Sequence, residues 1–284
     1  MSEQKLISVI TVTKNRTRSK IENAADSLLK QTDTKFEWLV ISDGVDSDTG
    51  AAISQISQTA LFPIRYWELD NPHPNQFGLC LGRNLGRHQA RGKYLTYLDD
   101  DNSLTADFIA TTKTFLQQNL GVKYFLPQAR RSRGIWQGDK FQRRSSFISP
   151  QDNTTIAELI IHQQLFDSNG FVHLAENAPF WNPNYRIYCD YEYLLQCIQT
   201  WGEDRFKMMP NILVNYIQSE RGVIGSSNYR DWASELRSIL FDKSYSLLKK
   251  REYRSQLETL QRKYDALARQ ERAIPAFKRD KNQN

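Results

Sequence analysis

Hydrophobic and polar positions follow two alternating rhythms along the first third of the chain. Short runs rich in β-branched and aromatic residues occur at Leu6–Thr13, Phe36–Ser42, Pro63–Leu69 and Lys93–Leu98. Such continuous runs are typical of strands buried on both faces of a sheet. Apolar residues at helical spacing fill the intervals, at Ile21–Leu29, Ala51–Ile56 and Leu79–Ala90. This alternation predicts an α/β fold with a mainly parallel, doubly wound sheet and helices on both faces.

The second half has fewer regular patterns. A strand is predicted at Val122–Ala129, a hairpin at Arg133–Phe141 with Gly138 in its turn, and helices at Thr154–Phe166 and Cys189–Gly202. The glycine- and serine-rich stretch Glu220–Asn228 is predicted to be mobile. From Asp231 onward the pattern is helical. A short heptad spacing joins Tyr253, Leu257, Leu260, Tyr264 and Leu267.

Polar residues follow three of the predicted strands. Asn15 follows the first, Asp43 the second, and the triplet Asp99–Asp101 the fourth. Open α/β sheets bind ligands beyond the carboxyl ends of their strands. These three groups are therefore expected at one rim of the sheet.

The triplet "DDD" requires a positive partner or water, because adjacent carboxylates repel one another. A strand that ends in these three residues points Asp99 and Asp101 to the same side, because side chains alternate with a period of two, and there they suit Mg²⁺ or Mn²⁺. The alternative is a solvated acidic turn in which Asn102 or Ser103 caps the next helix.

Net charge is +6, but it is unevenly distributed. The basic C-terminal segment, residues 243–284, has 12 Lys/Arg against 5 Asp/Glu, whereas residues 1–242 have 26 against 27. A near-neutral body argues against nucleic-acid binding. The three cysteines lack zinc-site spacing, and no signal peptide or membrane-spanning run is evident, so a cytoplasmic protein is expected.

Four stretches together carry a resemblance to a known family. "ISVITVTKNR", "WLVISDGVDSDT", "GRNLGRHQARGKYLTYLDDDN" and "CDYEYLL" occur in the order and rough spacing of family 2 glycosyltransferases. These are inverting nucleotide-sugar enzymes with a GT-A fold, and the resemblance covers about residues 5–200. It implies a glycosyltransferase domain at 1–229, with a nucleotide-sugar-binding half (1–103) and an acceptor-binding half (104–229). Residues 230–284 would form a basic helical extension.

The resemblance also implies roles for individual residues. Val12, Thr13 and Asn15 would line the nucleotide base, and Asp43 would contact the base or the ribose. Asp99 and Asp101 match the outer residues of the DxD motif, which hold a divalent metal on the diphosphate, and Asp100 fills its middle position. Asp190 matches the general base. Glu192 is the alternative base, although helix geometry turns it away from Asp190.

The helix before the triplet carries Arg83 and Asn84, which we also assign to donor binding. An arginine here suits either a diphosphate or the neighbouring carboxylates. Arg87 and Arg91 fit a solvated helix face better. Departures from the family pattern are Lys14 for a stacking tyrosine, Ser42 for an aspartate and Cys189 for a glutamate.

Four other side chains are weaker candidates. His173 could face the acceptor, Trp136 and Trp181 could stack on sugar rings, and Arg221 could close over the diphosphate. Core packing is the commoner role for the histidine and the two tryptophans.

The predicted function is transfer of a sugar from a nucleotide sugar, expected to be a UDP-sugar, to a glycan, lipid-linked or small-molecule acceptor. A divalent Mn²⁺ or Mg²⁺ is expected to assist. The alternatives are a nucleotidyltransferase and a non-catalytic sugar- or nucleic-acid-binding protein. For the basic C-terminal segment, three interpretations stay open: contact with an anionic membrane at the cytoplasmic face, pairing with a partner helix, and packing back on the domain.

Overall fold

The computed structural model describes residues 7–14, 18–70, 77–138 and 140–270. Its strands form one sheet in the order β3-β2-β1-β4-β8-β6-β9-β5, and β7 pairs with β6 at an edge. The strands are β1 (Ile7–Thr13), β2 (Phe36–Ser42), β3 (Ile64–Glu68), β4 (Tyr94–Tyr97), β5 (Ser103–Leu104), β6 (Tyr124–Gln137), β7 (Lys140–Ser149), β8 (Val172–Leu174) and β9 (Phe206–Gln218).

The helices flank this sheet. They are α1 (Arg18–Leu29), α2 (Ser47–Ser57), α3 (Gly78–Gln89), α4 (Phe108–Gln118), α5 (Ile156–Ile161), α6 (Cys189–Trp201), α7 (Val223–Ser226), α8 (Tyr229–Phe241) and α9 (Arg251–Gln270). A bilayer-spanning helix, which needs about 20 predominantly apolar residues, does not occur in the described part of the chain.

Most predicted elements are confirmed to within a few residues. The helix predicted at Thr154–Phe166 is instead split into α5 and a 3₁₀ turn at Gln163–Leu165. A capping box formed by Thr155 and Glu158 starts α5. The predicted hairpin is longer than expected, because β7 pairs along its length with β6 from Ala129 to Gln137, on either side of Gly138.

The sheet is mixed. β1 pairs in parallel with β2 and β4, and β3 extends this parallel part beyond β2. Beyond β4 the pairing becomes mostly antiparallel, since β4–β8, β6–β8, β6–β7 and β5–β9 are antiparallel and only β6–β9 is parallel. The parallel prediction therefore describes the N-terminal half best.

Two hydrophobic layers sandwich the parallel strands. Ile10, Leu39 and Ile41 belong to one buried cluster, whereas Val9 and Trp38 belong to the other. Alternate residues of a strand point to opposite faces, so both faces of β1 and β2 must be apolar. This double burial explains why these runs in the sequence are mainly apolar and do not alternate with polar residues.

The C-terminal helices α8 and α9 pack on the body. Leu236 of α8 is fully buried, and Tyr253, Leu257 and Tyr264 of α9 join the same cluster. Over residues 251–270, the heptad-spaced residues therefore contact this chain's own core. This part of the basic C-terminal segment packs back on the domain, which was the third of the three interpretations.

Candidate functional site

A cleft of about 680 Å³ opens at the carboxyl ends of the parallel strands. Its wall includes Val12, Thr13, Asp43, Asp99, Asp100, Asp101 and Asp190. These residues come from the ends of β1, β2 and β4 and from the start of α6. The structure thus brings together every predicted site residue except Asn84, which lies elsewhere, and Asn15, which lies outside the described residues.

The Asp99–Asp101 segment, here called the acidic turn, lies beyond the end of β4. Because the strand stops at Tyr97, the two-residue alternation does not govern these side chains, and that part of the prediction is wrong. All three nevertheless line the cleft. Asp100 is 4% exposed and accepts a hydrogen bond from Thr13 Oγ1 at 2.7 Å. This bond ties the ends of β1 and β4 together.

The helix-capping alternative is also wrong. Ser103 begins β5, and the Oδ1 atom of Asn102 accepts a hydrogen bond from the backbone N–H of Ile217. The next helix, α4, starts after Asp107. Asn102 therefore joins the acidic turn to β9.

Arg83 connects the acidic turn to the predicted base. It is 2% exposed, its Nη2 donates to Asp99 Oδ1 at 2.9 Å, and its Nη1 donates to Asp190 Oδ1 at 2.6 Å. Burial alone would lower the pKa of Arg83, but the carboxylates of Asp190 and Asp99 raise it well above its usual value. Of the two interpretations of this arginine, pairing with carboxylates is the one observed.

Asn84 lies outside the cleft wall. Its Nδ2 donates to the backbone carbonyl of Trp181, and its Oδ1 accepts from the Trp181 N–H, both at 2.8 Å. Both ends of the amide are thereby used to hold the segment that leads into α6. The structure does not support a donor contact for this residue.

Asp43 follows β2 and lines the cleft. It is 7% exposed, and its Oδ2 pairs with Lys14 Nζ at 2.8 Å. Helix α3 begins directly against it, since a Cβ on Gly78 would lie 2.1 Å from Asp43 Oδ2. Lys14 and Ser42 are the two nearby positions that depart from the family pattern. Of these two residues, Lys14 contacts Asp43 directly.

Asp190 lies in the first turn of α6, where the helix dipole favours negative charge. Its side chain is 26% exposed toward the cleft. Glu192, the alternative base, is fully buried and accepts hydrogen bonds from Tyr245 and Gln196. Burial raises the pKa of Glu192, and its position outside the cleft leaves Asp190 as the candidate.

The prediction missed Asp167, which also lines the cleft. Burial and the charges of Asp190 and Asp99 raise its pKa to about 6, although Arg131 acts in the opposite direction. Asn169 links the two sides, since its Nδ2 donates to Asp167 Oδ1 at 2.7 Å and to Asp99 Oδ2 at 2.8 Å. In the sequence, Asp167 opens "DSNG", which is an ordinary turn pattern.

Helix α9 also reaches the cleft. Lys263, Tyr264 and Leu267 line the cleft, together with Tyr229 and Trp232 of α8. Tyr264 stacks on Tyr229 and meets the edge of Trp232. This aromatic wall was not anticipated, because α9 is distant in sequence from the strand ends.

The weaker candidates have structural roles. His173 is fully buried and contacts the hydroxyls of Tyr97 and Tyr193, and burial lowers its pKa to about 4. Trp181 stacks on Tyr193 with ring centroids 3.8 Å apart.

The last two candidates contact each other: Trp136 lies on β6, and Arg221 follows β9. Arg221 donates to the carbonyl of Gly138, and its guanidinium lies over Trp136. Neither residue is part of the cleft wall.

The acidic turn fits a divalent cation that is shared with a substrate. Within the described residues there is no group of three His, Cys, Asp or Glu side chains arranged to hold a metal. However, Mg²⁺ is usually held by one or two carboxylates together with substrate phosphates. Asp99 and Asp101 supply two carboxylates at the cleft wall. Burial is the main cause of the raised pKa of Asp167, and the charges of Asp190 and Asp99 add to it; a cation would reduce this second part.

Solved structures show the same fold. S. aureus TarS 1–349 in complex with UDP-GlcNAc is similar with a TM-score of 0.59 and 17% identity, over 83% of this chain and 65% of that one. Its complex with UDP gives 0.58 and 16%, over 83% and 64%. These likenesses confirm the α/β fold expected of GT-A proteins.

Curated relatives match a shorter segment. An uncharacterized glycosyltransferase of Rickettsia felis is 35% identical over 113 residues, which are 40% of this chain and 17% of that protein. Glycosyltransferase GlyA of Streptococcus pneumoniae is 29% identical over 91 residues, which are 32% and 12%. The matched segment thus spans less than one-fifth of either relative.

The model for glycosyl transferase family 2 matches residues 8–171, more than half of the chain. The matched range contains the strand ends, Arg83 and the acidic turn. The chain therefore belongs to glycosyl transferase family 2.

Proposed function

We propose that this protein transfers a sugar from a nucleotide sugar, expected to be a UDP-sugar, to an acceptor hydroxyl with inversion at the anomeric carbon. The observation that carries this proposal is the bridge made by Arg83 between Asp99 and Asp190. This bridge holds the carboxylate of Asp190, which is suited to act as a general base, at a fixed position relative to the acidic turn in the same cleft.

The donor half is assigned to residues 1–103. Val12, Thr13 and Asp43 line the cleft beside the acidic turn, so a nucleoside placed against them directs its diphosphate toward Asp99 and Asp101. The TarS complexes with UDP and UDP-GlcNAc support this choice of donor. We assign the binding of Mg²⁺ or Mn²⁺ to Asp99 and Asp101. When bound, the cation would neutralise negative charge on the departing diphosphate.

The acceptor half is assigned to residues 104–229, and α9 of the 230–284 extension adds to it. Lys263, Tyr264 and Leu267 line the cleft. Tyr264 contacts Trp232, which in turn contacts Tyr188, two residues before Asp190. An acceptor entering there would approach the donor sugar from the side of Asp190. The C-terminal helix is thus part of the proposed acceptor wall.

Asp190 is the proposed general base. Among the described residues, the hydrogen bonds of Asp190 involve its Oδ1 atom. Its Oδ2 atom is therefore available to a hydroxyl group of the acceptor. The acceptor oxygen forms a bond to the anomeric carbon as the bond from that carbon to the diphosphate breaks. The bonding electrons leave with the diphosphate, and the acceptor proton passes to Asp190. One displacement from the opposite face inverts the anomeric centre.

Asp190→Asn tests this assignment. It keeps the size of the side chain and a hydrogen-bond acceptor for Arg83, but it removes the basic carboxylate. We expect turnover to fall by about 10²–10⁴-fold, measured as UDP release from a panel of UDP-sugars with candidate acceptors. Asp204→Asn, at a side chain that is 75% exposed, is the matched control.

Nucleotide binding is measured on the same variants by thermal shift with UDP, GDP, dTDP and CDP, each with Mn²⁺, Mg²⁺ or chelator. Asp190→Asn should keep the nucleotide-induced shift of the wild type. Full turnover in Asp190→Asn would reject the base assignment, and absence of any nucleotide-induced shift in the wild type would reject the donor assignment.

A further inference from the structure

The β6–β7 hairpin concentrates positive charge outside the basic C-terminal segment. Its basic residues are Arg130, Arg131, Arg133, Lys140, Arg143 and Arg144. Asp139 is the one acidic residue in this stretch, so residues 130–144 have a net charge of +5. The remainder of residues 1–242 has 20 Lys/Arg against 26 Asp/Glu. The near-neutral body is therefore an acidic body with a strongly basic hairpin.

The charges of the hairpin are exposed and largely unpaired. Among the described strands, β7 pairs with β6 alone, and Arg130, Arg133, Arg143 and Arg144 are exposed. No carboxylate of the described residues lies within ion-pair distance of Arg130, Arg133, Lys140, Arg143 or Arg144. Protection of a sheet edge from aggregation accounts for some edge charges. Protection of an edge does not require so many basic residues on both strands of the hairpin.

The hairpin is continuous with the cleft. Arg133 and Phe147 both line the cleft, and the guanidinium of Arg133 lies 4.9 Å from the centre of the Phe147 ring. Arg133 Nε also donates to Gln218 Oε1 of β9 at 2.8 Å. Arg186 and Lys263 add two more cations to the same wall. A chain leaving the cleft on this side would pass along positive charge.

We propose that the β6–β7 hairpin binds a polyanionic acceptor, a chain bearing phosphate or carboxylate groups whose hydroxyl enters the cleft. This inference rests on the proposed function. A membrane surface suits the hairpin less well, because of the exposed large hydrophobic side chains in the described residues only Phe147 lies on it, and that ring is covered by Arg133.

The test uses the triple variant Arg130→Gln/Arg143→Gln/Arg144→Gln. None of these residues lines the cleft. The matched control is Lys243→Gln/Lys249→Gln/Arg251→Gln, which removes the same charge from exposed positions near α9. Binding of fluorescent long-chain polyphosphate and of a polyuronate to the full chain is measured at several salt concentrations, in parallel with vesicles containing phosphatidylglycerol.

We expect the hairpin variant to bind at least one of the two polyanions about tenfold more weakly than the wild type, with a shallower salt dependence. The control variant should retain wild-type affinity. Equal affinity of the hairpin and control variants, or hairpin-dependent binding to vesicles alone, would overturn the proposal.

The UDP-induced thermal shift separates this inference from the proposed function. It should be unchanged in the hairpin variant, because the mutated residues lie away from the donor site. If no nucleotide binds the wild type while polyanion binding still depends on the hairpin, the donor assignment fails and the polyanion surface stands.

Discussion

Arg83 and the arginines of the β6–β7 hairpin have the same charge but opposite surroundings. Arg83 is 2% exposed and is held by two carboxylates, whereas Arg130, Arg143 and Arg144 are exposed and have no carboxylate partner among the described residues. A buried, paired arginine fixes the positions of its partners, since moving either one would leave a charge uncompensated. An exposed, unpaired arginine is free to attract a ligand. Burial thus separates the cation that organises the site from those available to a substrate.

Replacing Arg83 should have the largest effect on stability. Arg83→Met fills similar space but leaves Asp99 and Asp190 uncompensated, and we expect a loss of about 3 kcal/mol in the free energy of unfolding. Both carboxylates are partly exposed, at 31% and 26%, so hydration limits the loss. Urea denaturation measures it.

Two further variants sharpen this comparison. Arg83→Lys should be intermediate, because an ammonium group cannot reproduce the fork that reaches both carboxylates. Arg143→Gln should change stability by less than about 0.5 kcal/mol, as for other exposed sites. If Arg83→Met were as harmless as Arg143→Gln, the bridge would not be an organising contact.

Gly78→Ala should have the next largest effect, through the geometry of the donor side. A Cβ at this position would lie 2.1 Å from Asp43 Oδ2, so either α3 or the Asp43–Lys14 pair must move. We expect a loss of about 1–3 kcal/mol and a smaller UDP-induced thermal shift. Gly121→Ala is the control, because its nearest atom, Arg205 Nη1, is at 3.7 Å. Wild-type behaviour of Gly78→Ala would mean that Asp43 is not held tightly.

The sequence predicted the N-terminal half of the fold better than the second half for a physical reason. Strands β1 and β2 are buried on both faces, so each is a mainly apolar run with a few buried polar residues such as Ser8 and Glu37. The long hairpin has one exposed strand and extends past the core, so its composition is mixed. Its length could not be inferred from apolar periodicity. The cluster of basic residues from Arg130 to Arg144 was nevertheless visible in the sequence.

The candidate site was predictable only where the carboxyl ends of strands define it. Asp43 and the acidic turn follow predicted strands, so their convergence could be expected. The contact between Arg83 and Asp190 joins residues 107 positions apart, and no local pattern encodes it. Asn84 has the composition of a ligand-binding residue but is used on the backbone of Trp181. Tertiary contacts decide whether such a polar side chain binds a ligand or holds another part of the chain.

Asp167 interacts with the carboxylates of the Arg83 bridge and with Arg131 of the hairpin, and its titration makes the stability of the fold depend on pH. Its pKa is raised to about 6 by burial and by Asp190 and Asp99, while Arg131 at the base of the hairpin opposes the shift. The unfolded chain loses this proton near its ordinary pKa of 3.8, so between these values the folded state binds more protons. The stability contributed by protonated Asp167 is therefore complete below about pH 4 and is lost as the pH rises through about 6.

Asp167→Asn removes this titration, so in chelator its stability relative to the wild type should increase as the pH rises from 4 to 6 and then level off. Urea denaturation at several pH values measures the difference. The opposite contribution of His173, whose pKa is lowered to about 4, is common to both proteins and cancels. If the profile of Asp167→Asn runs parallel to that of the wild type instead, the buried carboxyl of Asp167 does not take up a proton on folding between pH 4 and 6, and its surroundings do not raise its pKa.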